Sequence, residues 1–168
     1  MSDLQAALQT HRQAVDAFLV AARSVPSAAW NQPRAAGKWS PGQIAEHVML
    51  AYEVNRGVLG GATRGRAVPA PFRPIVRFLL LRPVLRRGRF IPGSRAPKVF
   101  RPSALPPGRD VLIEKVQAAA TAFERVAAVA QEKTIDHPIF GRLPVADFVR
   151  LQEIHTQHHR GQMTPAAG

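Results

Sequence analysis

Apolar side chains recur at helical spacing in four long stretches of this chain, and this pattern limits its fold more than any other feature. They fall three or four positions apart, which places them on one face of a helix. We see no two-residue alternation long enough to predict a strand. We therefore predict an all-α protein whose helices cover about Asp3–Ser24, Pro41–Leu59, Arg109–Lys133 and Pro144–Met163.

The start of the second helix carries the clearest local signal. Ser40 can cap the helix, Pro41 suits its first position, and Gln43 stands where a capping box needs it. Trp39, directly before the cap, predicts a hydrophobic staple. With short links between helices 1 and 2 and between helices 3 and 4, the pattern predicts a four-helix bundle in one domain, residues 1–168.

A long Arg/Pro-rich crossover, residues 60–108, separates helices 2 and 3. It holds nine of the fifteen prolines. Between Val54 and Arg109 there are 13 Arg or Lys and no Asp or Glu, whereas the rest of the chain has 10 basic and 11 acidic residues. The net charge of +12 is therefore a property of this crossover. Its apolar run Phe72–Leu85 predicts one or two short helices, limited by Pro74 and Pro83.

The chain has no cysteine, which excludes disulfides, a thiolate nucleophile and a Cys-ligated zinc site. Its first ten residues lack the basic head and apolar core of a signal peptide. No apolar run approaches the roughly 20 residues that a membrane-spanning helix needs. Together these features predict a cytoplasmic protein.

Three histidines are the strongest candidates for chemistry. His155 and His159 are four residues apart, so they project from one face of helix 4, and Gln162 continues that stripe. His47 lies on the apolar face of helix 2. Converging imidazoles bind zinc, nickel, copper or iron, and three protein ligands with an open position are typical of a catalytic site.

The same spacing has a plainer interpretation. Histidines four apart also occur on exposed helix faces and near helix C-termini, where the helix dipole favours cationic side chains. His47 favours the metal interpretation, because an unpartnered imidazole on a buried face is unfavourable. Gln162 is expected to orient a ligand imidazole or a water, and His158 is expected beside the site or at the surface.

Further residues are weaker candidates. Glu46 is a candidate general base, and Arg77 is a candidate for binding an anionic substrate. Tyr52 is a candidate substrate donor, although core packing is the favoured interpretation. His11 and His137 have no partner at helical spacing, so we expect both at the surface.

Two motifs resemble the signatures of the DinB-like superfamily. The stretch Lys38–Val48, KWSPGQIAEHV, resembles the family's W-S-x-x-x-x-x-x-H pattern. The stretch His155–Gln162, HTQHHRGQ, resembles its H-x-x-x-H-x-x-Q pattern. Phe140–Pro144, FGRLP, is similar to the family's lead-in to the last helix. The motifs also stand in the family's order.

The resemblance implies a divalent metal, zinc or nickel, held by His47, His155 and His159, and it implies a homodimer. The family includes S-transferases that use low-molecular-weight thiols such as mycothiol or bacillithiol, and metal-dependent hydrolases. The crossover is longer and more basic than in those enzymes, so their substrates do not carry over. The alternative is a non-enzymatic protein that binds a small molecule in the bundle or a partner at the crossover.

Three interpretations of the crossover stay open. It packs its apolar side chains on the bundle, or it forms a lid over the metal site whose arginines recruit an anionic substrate, or it binds a partner or an anionic membrane surface. Nucleic acid is least favoured, because aromatic side chains are few and no nucleic-acid-binding motif is present. The first interpretation places these side chains on the bundle: Phe72, Ile75, Val76, Phe78, Leu79, Leu80 and Leu85.

Overall fold

The computed structural model describes residues 3–62, 68–90, 96–130 and 134–163. Short 3-10 turns lie at Ser27–Ala29, Ala70–Phe72 and Lys98–Phe100. The helices and strands of the described residues are α1 (Asp3–Ser24), α2 (Pro41–Leu59), α3 (Arg73–Val76), α4 (Arg82–Arg87), α5 (Arg109–Val129), β1 (Thr134–His137), β2 (Gly141–Pro144) and α6 (Val145–Arg160).

The four long helices, α1, α2, α5 and α6, form the four-helix bundle that the sequence predicts. Helix α1 packs along α6, α2 packs along α5, and α1 also touches α5. The apolar stripes of these helices meet in one core, which excludes water from their side chains and supplies the main stabilisation. Its largest fully buried side chains include Tyr52, Phe18, Phe123, Phe148, Ile44 and Leu112.

The ends of these helices follow the local signals. The Gln43 amide donates to Ser40 Oγ over 3.2 Å, and the Ser40 amide donates to Gln43 Oε1 over 3.1 Å, so the predicted capping box is confirmed. Helix α5 ends at Val129, and the predicted end at Lys133 falls in residues 131–133, outside the described residues. Helix α6 begins one residue later than predicted and ends at Arg160, three residues before Met163.

A short hairpin before α6 departs from the all-α prediction. Strands β1 and β2 are antiparallel, with His137 opposite Gly141 and Thr134 opposite Pro144. Each strand has only four residues, which is too short for the alternation of buried and exposed positions to be recognised in the sequence. Gly141 takes a φ of +71° in the turn, a left-handed value that favours glycine.

The crossover contains one continuous helical segment. Helices α3 and α4 are joined by a π turn, Arg77–Leu81, and we call residues 73–87 the crossover helix. Pro74 and Pro83 lie in the first turns of α3 and α4, in agreement with the expectation that they limit short helices, and the π turn joins the two pieces. Proline lacks an N–H and its ring crowds the carbonyl four residues earlier, and the wider π turn before Pro83 accommodates both effects. Gly88 ends the segment with a φ of +61°.

The crossover helix contacts the bundle along one edge. Leu81 and Val84 are buried, Leu85 packs partly against the core, and α4 lies against α6. The expectation that all seven apolar side chains pack on the bundle is wrong for most of them, because a single edge cannot bury every side of the helix. Five are exposed: Phe72, Ile75, Phe78, Leu79 and Leu80. Among the described residues, none of the helices has the length and apolar character needed to cross a bilayer.

Candidate metal centre

Helices α2 and α6 bring the three predicted histidines together. His47 comes from α2, and His155 and His159 lie one turn apart on α6. The ring centroids of His47 and His155 are 5.0 Å apart, and each lies 4.6 Å from that of His159. One nitrogen from each ring lies within 4.8 Å of the other two, so the group could hold a metal ion.

Hydrogen bonds fix the orientation of two of these rings. His47 Nδ1 lies 2.6 Å from the Phe100 carbonyl, and His159 Nδ1 lies 2.9 Å from Gln162 Oε1. Both partners accept, so each Nδ1–H donates and each Nε2 keeps a free lone pair. His47 Nε2 is 3.0 Å from His155 Nε2. This is the arrangement in which an outer partner selects the tautomer of a metal-binding imidazole.

The chemistry of the group fits a divalent transition metal. Burial lowers the pKa of all three histidines and neighbouring histidines add to this effect, so that the pKa of His159 is lowered to about 3. The rings are therefore neutral near pH 7, which is the form that binds a metal. His155 Nδ1 is buried and has no hydrogen-bond partner among the described residues. No carboxylate joins the group in that part of the chain, and an all-imidazole set suits transition metals rather than magnesium or calcium.

Aromatic side chains surround the three histidines. The Trp39 ring centroid is 4.9 Å from that of His47, and Phe100 approaches the same ring edge-on at 6.4 Å. Phe90 lies edge-on to His155 at 5.6 Å. Phe90 and Phe100 belong to the crossover, and no motif or periodicity in the sequence singles them out. The crossover therefore forms part of the wall of the site.

Residues 96–108, which we call the strap, are tied to α2. The amide and hydroxyl of Ser103 donate to Glu46 Oε2 over 2.8 and 2.7 Å, and Gln43 Nε2 donates to the Ser103 carbonyl over 3.1 Å. Glu46 thus holds the strap that carries Phe100. In this conformation its Oε2 is occupied by Ser103 and is not available as a base.

Glycine is required at the point where the strap crosses α2. A Cβ atom at Gly42 would lie 2.8 Å from both Pro106 Cγ and Trp30 Nε1. Trp30 Nε1 in turn donates to the Pro107 carbonyl over 3.2 Å. Only a residue without a side chain allows the strap to approach this closely.

The Tyr52 hydroxyl and the Arg77 guanidinium, the two candidates for substrate binding, each contact other protein groups. The Tyr52 hydroxyl is buried, 2.7 Å from Thr156 Oγ1 and 3.0 Å from His11 Nε2, and burial raises the pKa of its phenol. Arg77 Nη1 donates to the Arg142 carbonyl over 2.8 Å, so its guanidinium binds the hairpin. Both groups already have protein partners.

His158 borders the centre at the surface, as the sequence predicts. It is exposed, and Gln162 Nε2 donates to its Nε2 over 3.0 Å. Since Gln162 Oε1 accepts from His159, this one amide links the two imidazoles. The linkage holds Gln162 in the orientation that His159 requires.

The surface positions predicted for His11 and His137 are wrong. His11 is fully buried, and its Nδ1 donates to Glu124 Oε1 over 2.8 Å. Burial alone would raise the pKa of Glu124, but the hydrogen bonds from His11 and Arg12 lower it. Spacing within α1 could not reveal Glu124 as the partner of His11, because Glu124 comes from α5.

His137 is buried in the hairpin. Its Nδ1 accepts from the amides of Ile139 and Phe140 over 3.1 and 3.3 Å, and its ring stacks on Phe140 at 4.7 Å. Burial lowers the pKa of His137 to about 4, partly offset by Asp136. A neutral ring is what the two amide donors require.

Comparisons with known proteins agree with this architecture. The family model for the DinB superfamily matches residues 7–163. A solved structure, the four-helix bundle protein TT2238, aligns with a TM-score of 0.53 and 22% identity, over 95% of this chain and 96% of that chain. No curated protein matches the sequence. The family match covers nearly the whole chain, including all three clustered histidines, and the chain belongs to the DinB superfamily.

Proposed function

We propose that this protein is a metal-dependent enzyme that holds zinc or nickel with His47, His155 and His159 and transfers a low-molecular-weight thiol to a small-molecule substrate. The observation that carries the proposal is the set of three neutral imidazoles, two of which have their outer nitrogens already bonded to the protein. Three protein ligands leave a position for an exogenous group, which is typical of catalytic sites. A bound ion would lower the pKa of a thiol or a water.

The surroundings of the histidines favour a thiol over water as the nucleophile. A free thiol has a pKa of about 8.5, against about 15.7 for water, so it needs far less help to lose its proton. No carboxylate joins the histidines among the described residues, and Oε2 of the candidate base Glu46 is taken by Ser103. Hydrolysis stays the second candidate reaction, because the resemblance to metal-dependent hydrolases supports it.

The aromatic walls support a substrate with an apolar portion. Trp39, Phe90 and Phe100 present ring surfaces beside the histidines. Such surfaces favour binding of the carbon skeleton of an electrophile, because contact with the rings removes apolar area from water. Homodimer formation and a cytoplasmic location stay predictions from the resemblance and from the sequence.

The first experiment measures metal content. Untagged protein is incubated with zinc or nickel, dialysed and analysed by plasma mass spectrometry beside His159→Ala and His158→Ala. We expect about one metal per chain in the wild type and in His158→Ala, and a large loss in His159→Ala, because His159 belongs to the group of three and His158 does not. Equal loss in both variants, or no metal in the wild type, would contradict the assignment.

The second experiment tests turnover in the loaded protein. Consumption of a low-molecular-weight thiol is followed with a chromogenic aryl halide, and ester hydrolysis is followed with a nitrophenyl ester. We expect thiol transfer that His47→Ala abolishes and His158→Ala retains in part. Metal binding without either reaction would favour the non-enzymatic alternative, in which the bundle binds a small molecule.

A further inference from the structure

The crossover helix carries an exposed apolar face that the bundle leaves uncovered. Five large side chains, from the turn before the helix to its π turn, are each between 45% and 61% exposed. Phe72, Ile75 and Leu79 fall three and four residues apart, which is the spacing of one helix face, and Phe78 neighbours Ile75 at a separation of three. Isolated exposed apolar residues are ordinary, but a contiguous set of this size marks a binding surface.

Cationic side chains border this face without anionic neighbours. Arg82, Arg86, Arg87 and Arg89 are exposed, and the Arg82 guanidinium lies 5.7 Å from the centre of the Phe78 ring. None of these four has a carboxylate partner among the described residues, and residues 60–108 contain no Asp or Glu. The face therefore combines apolar side chains with uncompensated positive charge.

The remaining arginines of the segment fix it to the protein. Arg73 Nη1 lies 3.0 Å from Asp136 Oδ1, and its Nε donates to the Val68 carbonyl over 2.9 Å. Arg77 binds the Arg142 carbonyl. These contacts hold one side of the crossover helix against the hairpin. They leave the opposite side, with its apolar face, turned to the exterior.

We propose that the crossover helix docks this protein on the surface of an anionic lipid membrane. The five apolar side chains enter the boundary between headgroups and acyl chains, and the arginines bind lipid phosphates. Charge complementarity identifies the partner: the face requires an anionic surface with an apolar interior.

Other occupants fit this face less well. A second copy would bring the arginines of two identical faces together with no carboxylate between them, and like charges across an interface are unfavourable. Nucleic acid would satisfy the arginines, but it offers no apolar surface to cover Ile75, Leu79 and Leu80. An anionic lipid surface satisfies both kinds of side chain.

The docking face adjoins the candidate metal centre. Helix α4 packs on α6, which carries His155 and His159, and Phe90 follows α4 closely and contacts His155. Docking would therefore hold the metal centre near the lipid surface. The docking proposal itself does not depend on catalysis, because it rests on the exposed face alone.

Vesicle flotation tests the proposal on the full chain. Wild-type protein is mixed with vesicles of phosphatidylcholine alone or with phosphatidylglycerol added. We expect binding to the anionic vesicles that weakens as salt increases, and little binding to the neutral ones. Replacing Arg82, Arg86 and Arg87 by Gln should weaken binding roughly 100-fold, and Phe78→Ser with Leu79→Ser should weaken it about tenfold.

Matched variants on the bundle serve as controls. Val20→Ser with Val129→Ser removes two apolar side chains that are at least as exposed, and replacing Arg23, Arg125 and Arg150 by Gln removes the same number of exposed charges. Both controls should bind like the wild type. The proposal is overturned if the wild type ignores anionic vesicles or if the controls lose as much binding as the crossover variants. A dimer that Phe78→Ser with Leu79→Ser dissociates, without vesicle binding, would assign the face to a second copy instead.

Discussion

The bundle and the crossover helix use the same apolar side chains in opposite ways. Phe123 of α5 has no exposed surface, whereas Phe78 of the crossover helix is 61% exposed. Every bundle helix lies against neighbours that cover its apolar stripe, but the crossover helix meets the bundle only through an edge that includes Leu81 and Val84. An apolar pattern thus predicts which face of a helix is able to pack. Whether that face is buried depends on whether another element lies against it.

The two described parts of the crossover differ in a second way. The strap is fixed to α2 by Gln43 and Glu46, and it brings the Phe100 carbonyl to His47. In the crossover helix, Arg73 and Arg77 bind Asp136 and the Arg142 carbonyl of the hairpin, and the apolar face is exposed. One basic segment therefore builds a wall of the metal centre and also leaves a free surface.

The sharpest test of the comparison is the same substitution in both regions. Phe123→Ala removes a buried ring and should lower the free energy of unfolding by about 3–5 kcal/mol, since it leaves a cavity. Phe78→Ala should change it by less than about 0.5 kcal/mol, because an exposed ring loses little on truncation. Urea denaturation followed by circular dichroism measures both. Comparable losses would show that the crossover helix is packed after all.

The buried histidine of the hairpin adds a dependence on pH. The pKa of His137 falls from 6.5 to about 4 on folding, so the unfolded chain binds a proton more readily. Its contribution to stability is complete above pH 6.5 and is lost as the pH falls towards 4. At pH 5 the loss should be about 2 kcal/mol relative to pH 7.

His137→Asn isolates this effect. An asparagine can still accept from the two turn amides but does not titrate. Denaturation at pH 7 and pH 5 in the presence of a chelator should therefore show a smaller decrease in the variant than in the wild type. An identical decrease in the two proteins would remove His137 as the cause.

Inside the bundle, the Tyr52 hydroxyl should matter for stability alone. Tyr52→Phe deprives His11 and Thr156 of a buried partner, so we expect the free energy of unfolding to fall by about 1–2 kcal/mol. Zinc affinity, measured by competition with a chromophoric chelator, should stay unchanged. Native stability with weakened zinc binding would contradict this prediction and would show that Tyr52 contributes to the metal centre.

The last prediction concerns the strap, where we expect a smaller change in stability than at Tyr52. Glu46→Ala removes the acceptor of both Ser103 donors and should lower the free energy of unfolding by less than about 1 kcal/mol. Because the strap positions the Phe100 carbonyl, zinc affinity should fall about tenfold. Glu114→Ala, an exposed glutamate on α5, is the matched control and should retain zinc affinity. Unchanged zinc affinity in Glu46→Ala would show that this attachment of the strap does not influence metal binding.

Local interactions explain why much of the bundle follows from the sequence. Helices α1 and α2 have the predicted bounds, because apolar spacing and the Ser40 capping box act within a few residues. The pairing of His155 with His159 follows from helical geometry for the same reason. The hairpin could not be predicted, because four residues per strand are too few to show the two-residue alternation of a strand.

The sequence by itself determined four amphipathic helices, the position of the basic crossover, and three histidines able to converge. Only the tertiary structure decided what lies against each of them. It buried His11 against Glu124, brought Phe90 and Phe100 to the histidines, and left the face around Phe78 uncovered. These outcomes depend on contacts between residues far apart in the chain, and neither spacing nor composition encodes which distant surfaces will meet.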